Sequence, residues 1–297
     1  MRLIQNNIVK IVLILFVSLT IGCLSLFEEN QETKDLLPRE TELYTWKLVK
    51  SSTITKQDTI LSISPDYYKY YGVIEIVKGE YQSINNSSLY LTVTIAKTLT
   101  VDDSYGLFTR ERINSEKSFF KTDYSIYWKN KSIAFKGNNF IKVETNDLDF
   151  IQTQKSIIET IVQKIPDSKT FPDYINTISK YCDIDSIILF NEGIPQIPYL
   201  KNIVVGKKII ESKEVWLFFK IYVTNIEASQ NFDVLLKSDT ALMLLESGKV
   251  KIAFKKYGDS YCYIAQYKEW IFGVYDIVDY NAGKQYINIL YKELGNQ

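Results

Sequence analysis

The 297-residue sequence contains no histidine. That absence removes Ser-His-Asp and Cys-His nucleophilic sites, imidazole general bases, and the usual zinc and non-haem iron centres. An enzyme built from this chain would work with carboxylate, lysine, tyrosine or thiol alone. Cysteine is scarce, at three residues, with methionine at two and proline at six. Neither sign of charge is in excess: 35 basic residues balance 35 acidic ones, and no basic patch stands out. No nucleic-acid partner is therefore expected. Neither a Gly-rich phosphate loop nor a nucleophile elbow occurs, and nothing in the residues calls for a cofactor or a metal.

What is present begins at the N-terminus. MRLIQNNIVK carries Arg2 and Lys10 and no acid, and Ile11–Gly22 is apolar apart from Ser18 and Thr20. This is the charged region and short apolar core of an export signal. Thr20-Ile21-Gly22-Cys23 resembles a loose bacterial lipobox. The resemblance implies a diacylglycerol on the Cys23 thiol, cleavage before Cys23, and acylation of the freed amine. Two or more acyl chains hold a membrane stably, at about 0.8 kcal/mol per buried methylene. The alternative is an uncleaved signal anchor, because Ile11–Phe27 runs without a charge at the low edge of a membrane span. In both readings Arg2 and Lys10 stay inside, and the folded part faces outward. The following Leu24–Asp35 soon turns polar and reads as a flexible tether.

The rest of the chain reads as one pattern used twice. In the first half, Ser64–Gly72 predicts one or two helical turns, with Ser64 as cap, Pro65 opening and Gly72 closing. Gly72–Gln82 and Ser88–Lys97 predict a strand pair, with Leu89, Leu91, Val93 and Ile95 on one face. Thr100 with Asp103 resembles a capping box for a helix over Thr100–Arg112. Three short strands follow (Tyr124–Trp128, Ser132–Lys136, Phe140–Thr145), and a helix over Asp149–Ile165 closes the unit. The second half repeats this with a strand pair in Ile209–Val223, a capped helix in Thr224–Lys237, three strands in Lys249–Ile277 and a closing helix over Asp279–Leu294.

Residue matches support a duplication. Asp102-Asp103-Ser104 falls on Glu227-Ala228-Ser229, Ile133-Ala134 on Ile264-Ala265, and Val143 on Val274. The stripe Ile157, Ile158, Ile161, Val162, Ile165 falls on Tyr286, Ile287, Leu290, Tyr291, Leu294. The string IAFK, present at both Ile133–Lys136 and Ile252–Lys255, is rejected as a register because it leaves an extra strand before the last helix. The expected fold class is α+β: two related units of antiparallel sheet with packed helices, after a lipoprotein signal peptide. The expected boundaries are 1–22 signal peptide, 23–37 lipidated cysteine and tether, 38–165 first unit, 166–173 linker and 174–297 second unit.

Three stretches carry a wider likeness: LLPRE (Leu36–Glu40), Asp102–Arg112, and YSIYWKNKSIAFKGNNFIKVE (Tyr124–Glu144). With their spacing, the chain resembles an uncharacterised family of bacterial secreted proteins and lipoproteins catalogued as a domain of unknown function. The resemblance covers most of residues 36–294 and is strongest over Asp102–Glu144. The chain departs from the family at Ser62–Gly72, where a Gly-rich Y-I-N-G segment is expected. The resemblance implies export and fold, and it lends no reaction.

Several groups are candidate sites, each with a structural alternative. Tyr67, Tyr70 and Tyr71 would share a face at helical spacing, as a ligand-stacking surface or as core, with Tyr68 aside. Arg110-Glu111-Arg112 is a candidate anion site or a solvated helix end. Glu144, Asp147 and Asp149 could bind calcium but lack the loop that does so, and capping explains them. Asp183 and Asp185 are a candidate carboxylate pair without a nominated acid–base partner. Outside the cytoplasm Cys182 and Cys262 can form a disulfide; the alternative is two buried thiols.

The expected function is a lipid-anchored lipoprotein of the bacterial cell envelope, acting as a non-enzymatic binding or structural module. Its partners would be the membrane, through the N-terminal lipid, and an unknown envelope protein or polymer. The rivals are a carboxylate-dependent glycan hydrolase and a surface adhesin. A cleft with two carboxylates about 5–9.5 Å apart would mark the hydrolase.

Overall fold

A computed structural model describes residues 32–113, 120–121, 124–146, 150–166, 171–247 and 249–295. Cys23, the signal segment, most of the tether, Asp147, Asp149 and the middle of the expected linker lie outside the described residues.

The first half opens with a 3-10 turn at Thr33–Leu36, helix α1 (Glu40–Leu43), strand β1 (Trp46–Ile54), helix α2 (Gln57–Ile63) and a 3-10 turn at Asp66–Tyr70. Strands β2 (Val73–Ser83) and β3 (Tyr90–Thr98) lead into helix α3 (Val101–Ile113). Strands β4 (Phe120–Lys121), β5 (Ser125–Tyr127), β6 (Lys131–Lys136) and β7 (Asn139–Thr145) follow, and helix α4 (Ile151–Lys164) closes the half. The second half runs through α5 (Asp173–Ile178), a 3-10 turn at Ile184–Ser186, β8 (Ile188–Phe190), β9 (Ile203–Ile210), β10 (Lys213–Ile221) and α6 (Asn225–Ser238). It ends with β11 (Met243–Ser247), β12 (Lys251–Tyr257), β13 (Ser260–Tyr267), β14 (Trp270–Ile277) and α7 (Tyr280–Gly295). Among the described residues, no helix is long and apolar enough to cross a membrane.

The strands form two seven-stranded antiparallel sheets of one topology. The first is ordered β1-β2-β3-β7-β6-β5-β4, and the second, read from its other edge, β8-β9-β10-β14-β13-β12-β11. Strand for strand the two orders correspond. The register corresponds too. In the β6–β7 hairpin Ile133 faces Lys142, Ala134 faces Ile141 and Lys136 faces Asn139. In the β13–β14 hairpin Ile264 faces Gly273, Ala265 faces Phe272 and Tyr267 faces Trp270, the same pairs under one constant shift. Since a one-residue slip would turn every side chain to the other face, this agreement is a strong mark of common design. The IAFK string at Ile252–Lys255 lies on β12, the counterpart of β5 rather than of β6.

The caps refine the sequence match by one residue. The Asp103 amide donates to Thr100 Oγ1 at 3.1 Å, and the Glu227 amide donates to Thr224 Oγ1 at 3.1 Å. Asp103 therefore corresponds to Glu227, and Ser104 to Ala228, both of them fully buried. The sequence pairing of Asp102 with Glu227 was one position out.

Alternation along the strands divides the interior into three cores. Val93, Ile95, Ala134, Ile141 and Val143 meet the α4 stripe of Ile157, Ile158, Ile161 and Ile165 in one outer core. Phe218, Ile264 and Ile271 meet Phe232 and Leu235 of α6 in the other. A central core runs unbroken from the α3 face of the first sheet, through Ala96, Phe135 and Phe140, to the α7 face of the second, through Leu217, Phe219, Phe272 and Val274. The two halves share a topology but not separate interiors. Both expected connecting segments also end inside the fold. Leu36 and Leu37, placed in the flexible tether, are buried in the first outer core. Phe171, placed in the linker, packs on Tyr105 at 5.9 Å and on Phe135 at 5.5 Å.

The twin caps make a direct prediction. Thr100→Ala and Thr224→Ala should each lower unfolding free energy by about 1 kcal/mol in urea denaturation, because each removes the same amide acceptor. A neutral result at both positions would contradict the capping geometry.

Candidate functional site

The two halves meet at the edge of β8. One side of this three-residue strand pairs with β9, Leu189 standing opposite Val204. The other side would leave buried backbone groups without partners, at a cost of about 1–3 kcal/mol each. Side chains of the first half supply them. The Leu189 amide donates to Thr109 Oγ1 at 3.1 Å, and the Tyr71 hydroxyl donates to the Leu189 carbonyl at 2.7 Å. The Arg112 guanidinium donates to the Ile187 carbonyl. Asn191 donates to the Tyr70 carbonyl at 3.0 Å and to Asp103 Oδ1 at 2.8 Å.

A charged cluster continues this seam. Arg110 pairs with Glu192 at 2.9 Å and lies over the rings of Phe190, at 4.4 Å, and Tyr67, at 5.4 Å. The Tyr67 hydroxyl donates to Glu111, which also pairs with Lys131 at 3.4 Å. Burial first, and the Glu111 charge second, push the Tyr67 hydroxyl far above its ordinary range. The groups of this cluster are partly buried and tied to one another, which fixes their positions along the seam.

Beside the seam lies a cleft of about 530 Å³ walled by both halves, a size that suits a small ligand. Its floor is apolar: Ile178, Leu189, Val204 and Phe219 are all buried. One wall carries Asp102 and Asp103 on the first turn of α3, with Tyr70 and Leu99 at the rim. Asp103 accepts from Thr100 Oγ1 at 2.7 Å as well as from Asn191. Asp102 accepts from the Tyr174 hydroxyl, which burial and then the Asp102 charge push well above its usual range. Lys220 and Asn202 stand among the lining residues of the second half. The Lys220 ammonium donates to the Lys201 carbonyl at 2.8 Å and lies over the Tyr222 ring. Burial holds its pKa below the ordinary lysine range, with Glu227 opposing.

The sequence candidates separate here. Asp66–Tyr70 is a 3-10 turn, in which residues three apart are eclipsed. Tyr68 and Tyr71 therefore turn into the core together, where the expected helical spacing had set Tyr68 aside. Tyr71 is fully buried and Tyr67 half-buried, so of the expected tyrosine surface only Tyr70, 42 % exposed, reaches the cleft. Arg110, Glu111 and Arg112 are not a solvated helix end: Arg110 and Arg112 reach the second half, and Glu111 is tied to Tyr67 and Lys131 within the first. Asp183 caps the Ile184–Ser186 turn by accepting from the Asp185 amide at 3.0 Å, and both acids are exposed. Glu144 pairs with Lys142 at 2.9 Å. Among the described residues no group of histidine, cysteine, aspartate and glutamate could hold a metal ion.

Of the two readings of Cys182 and Cys262, the structure has the pair of buried thiols and not the bridge. Both are free, buried thiols. Cys182 belongs to the central core and Cys262 to the outer core under α6, on opposite faces of the second sheet. Burial pushes each thiol up to about 12, with Asp183 adding to it at Cys182 and Lys208 opposing, while Lys255 opposes it at Cys262.

Asp102, Asn191, Asn202, Tyr174 and Lys220 were not among the sequence candidates. No spacing in the chain links them, and only the meeting of the halves brings them to one cleft. Comparison with protein-family models, with curated proteins and with solved structures finds no match for this chain.

Two predictions follow from this geometry. A Cβ at Gly106 would sit inside the contact distance of the Tyr71 ring. Gly106→Ala should cost about 1–3 kcal/mol in urea unfolding by prying Tyr71 from the β8 edge; unchanged stability would contradict the packing. The thiols give a pH dependence. Both rise in the folded chain from 9.0 to about 12, so folded and unfolded states bind protons equally below pH 9. Above it the unfolded chain loses them first, and stability falls as pH rises from 9 to 12. Replacing both cysteines with alanine should flatten part of that fall in unfolding curves taken at pH 8, 9.5 and 10.5, each compared with the parent chain.

Proposed function

We propose that this chain is a lipid-anchored, non-enzymatic binding module of the bacterial cell envelope, holding a small ligand in the cleft beside its seam. The cleft is the observation that carries the reading: a recess with an apolar floor and polar walls, built jointly by two repeated halves. Binding is favoured over glycan hydrolysis because both cleft carboxylates, Asp102 and Asp103, stand side by side on one wall. Hydrolysis needs carboxyl groups flanking the scissile bond, and the second half contributes amides and a tyrosine instead. Each acid is also held by a hydroxyl or amide of the fold, which suits a fixed recognition surface.

Placement rests on the N-terminal segment. The apolar run ending at Gly22-Cys23 supports processing and acylation at Cys23. Leu36 enters the fold thirteen positions after Cys23, so the anchor and the body would be joined by a short stretch of chain. Intact-mass analysis of membrane fractions tests this part. The wild type should lack residues 1–22 and carry fatty acid, and Cys23→Ala should keep residues 1–22 and carry none. A wild-type protein that retains residues 1–22 without fatty acid would remove the lipid anchor from the proposal.

A further inference from the structure

We infer that a second cleft, away from the seam and between α6 and the β12–β13 hairpin, binds a small phosphate ester of a polyol. The duplication locates it. The matching caps of α3 and α6 set Ser229 at the position of Tyr105, and the matching hairpins set Gln266 at that of Phe135. Lys251 faces Gln266 across the ladder as Tyr124 meets Phe135, so Lys251 takes the position of Tyr124. In the first half aromatic rings fill this space. Tyr105 lies 5.3 Å from Phe135, Phe171 packs on both, and Tyr124 packs against the same core. In the second half the matching space is an open cleft of about 530 Å³, lined by Ser229, Lys251 and Gln266. The repeated framework has kept the place and exchanged its aromatic filling for polar groups. Gln266 is only 5 % exposed, and a buried amide in place of a phenyl ring is costly unless its polar atoms are used.

The lining is rich in donors. Gln266 Nε2 donates to Asn225 Oδ1 at 3.2 Å and to the Lys268 carbonyl at 2.8 Å. Asn225 Oδ1 is thereby engaged, and its Nδ2 remains to donate. Lys251 Nζ donates to Ser229 Oγ at 3.0 Å, which leaves the Ser229 hydroxyl hydrogen available. Val250 packs against the central core, which sets Lys249 and Lys251 on the α6 side of the sheet. Lys249 is exposed there, at the wall of the cleft. Among the described residues no acid lines this space. Of the acids on α6, Asp233 is held by Lys251 at 2.6 Å, and Glu227 accepts from the Val223 amide at 3.3 Å. The Lys268 ammonium takes no part, because it lies over the Tyr267 ring, which packs on Tyr291 of α7 on the other face of the sheet. The first turn of α6 adds the positive end of a helix dipole beside the cleft.

Donors on both the helix wall and the strand wall suit a negatively charged group with several acceptor oxygens. A phosphate ester presents three such oxygens, one more than a carboxylate. The space exceeds one phosphate group, so the ligand carries more than that. Gln266 Oε1 has no donor among the described residues, and a hydroxyl on the same molecule would supply one. A polyol phosphate brings acceptor oxygens and hydroxyl donors together. It can come as a free ester or as the headgroup of an anionic lipid.

The test titrates the full chain, in a polyoxyethylene detergent, with glycerol 3-phosphate, glycerate and glycerol by calorimetry. Two variants keep the fold: Lys249→Gln removes the charge of an exposed side chain, and Ser229→Ala places the best helix former within α6. Glycerol 3-phosphate should bind, about tenfold more weakly in each variant, with glycerate weaker and glycerol undetectable. Repeating the titration in phosphatidylcholine vesicles with and without phosphatidylglycerol separates the two sources. Weaker apparent binding of glycerol 3-phosphate beside phosphatidylglycerol identifies the lipid headgroup as the competing ligand, and unchanged binding identifies a free ester. Glycerate binding as tightly as glycerol 3-phosphate would overturn the phosphate assignment, and glycerol doing so would overturn an anionic ligand of any kind. Absence of binding by every probe, or binding that either variant leaves unchanged, would overturn the cleft as the site.

Discussion

The edge of β8 has to be satisfied by something, and the rest of the molecule is arranged around how this is done. A sheet edge buried without partners is costly, and proteins cover, shorten or charge such edges. Here a three-residue strand is covered by the side chains of another sheet's helix and turn. Thr109 and Tyr71 act on the two backbone groups of Leu189 as a neighbouring strand would. Tyr71 can lie across α3 only because Gly106 has no side chain there. The hydrogen bonds, the glycine and the ring are thus one device, and the continuous central core forms behind it.

This device explains why two halves with one topology are not interchangeable. The shared cap of Thr100 and Thr224 aligns α3 with α6. At the α6 positions that match Gly106, Thr109 and Arg112 stand Gln230, Asp233 and Leu236. A long side chain replaces the glycine, an acid replaces the hydroxyl that meets an amide, and the guanidinium is gone. Among the described residues no strand edge lies against this face of α6, and Ile226 and Val234 remain largely exposed. The duplicated pattern specifies the sheet and its helices, while a few substitutions on one helix decide where the halves join.

Much of the sheet architecture was legible because burial imposes a period of two on strands, and register then becomes visible as matching residues. Ile133-Ala134 and Ile264-Ala265 were aligned from sequence and occupy equivalent places on β6 and β13. The stripe from Ile157 to Ile165 was legible for the same reason, at helical spacing. Several elements left no such signal, α1 and β4 among them, and β9 begins at Ile203, six residues before the expected strand pair. Helices α2 and α5 are short, β8 has three residues, and β11 lies on an edge with Met243 and Leu244 half exposed. Periodicity needs several residues against one core, and these elements do not provide them. The tyrosine run was misread for a different reason: a 3-10 turn changes which residues share a face, and composition does not distinguish it from an α-helical turn. The cleft was illegible because its residues come from distant segments that have no common spacing.

The cleft itself is a consequence of how little β8 covers. Strand β9 runs over eight residues and β10 over nine, but β8 pairs only with Ile203 to Val205. Where β8 ends, the first half no longer has a strand edge to grip. The Asn191 amide bridges to Asp103 at that point, and beyond it the recess lies between the first turn of α3 and the buried Val204 and Phe219. A short strand leaves apolar floor, rigid polar wall and exposed ring facing one space. The contact that joins the two halves therefore also sets the dimensions of the site between them.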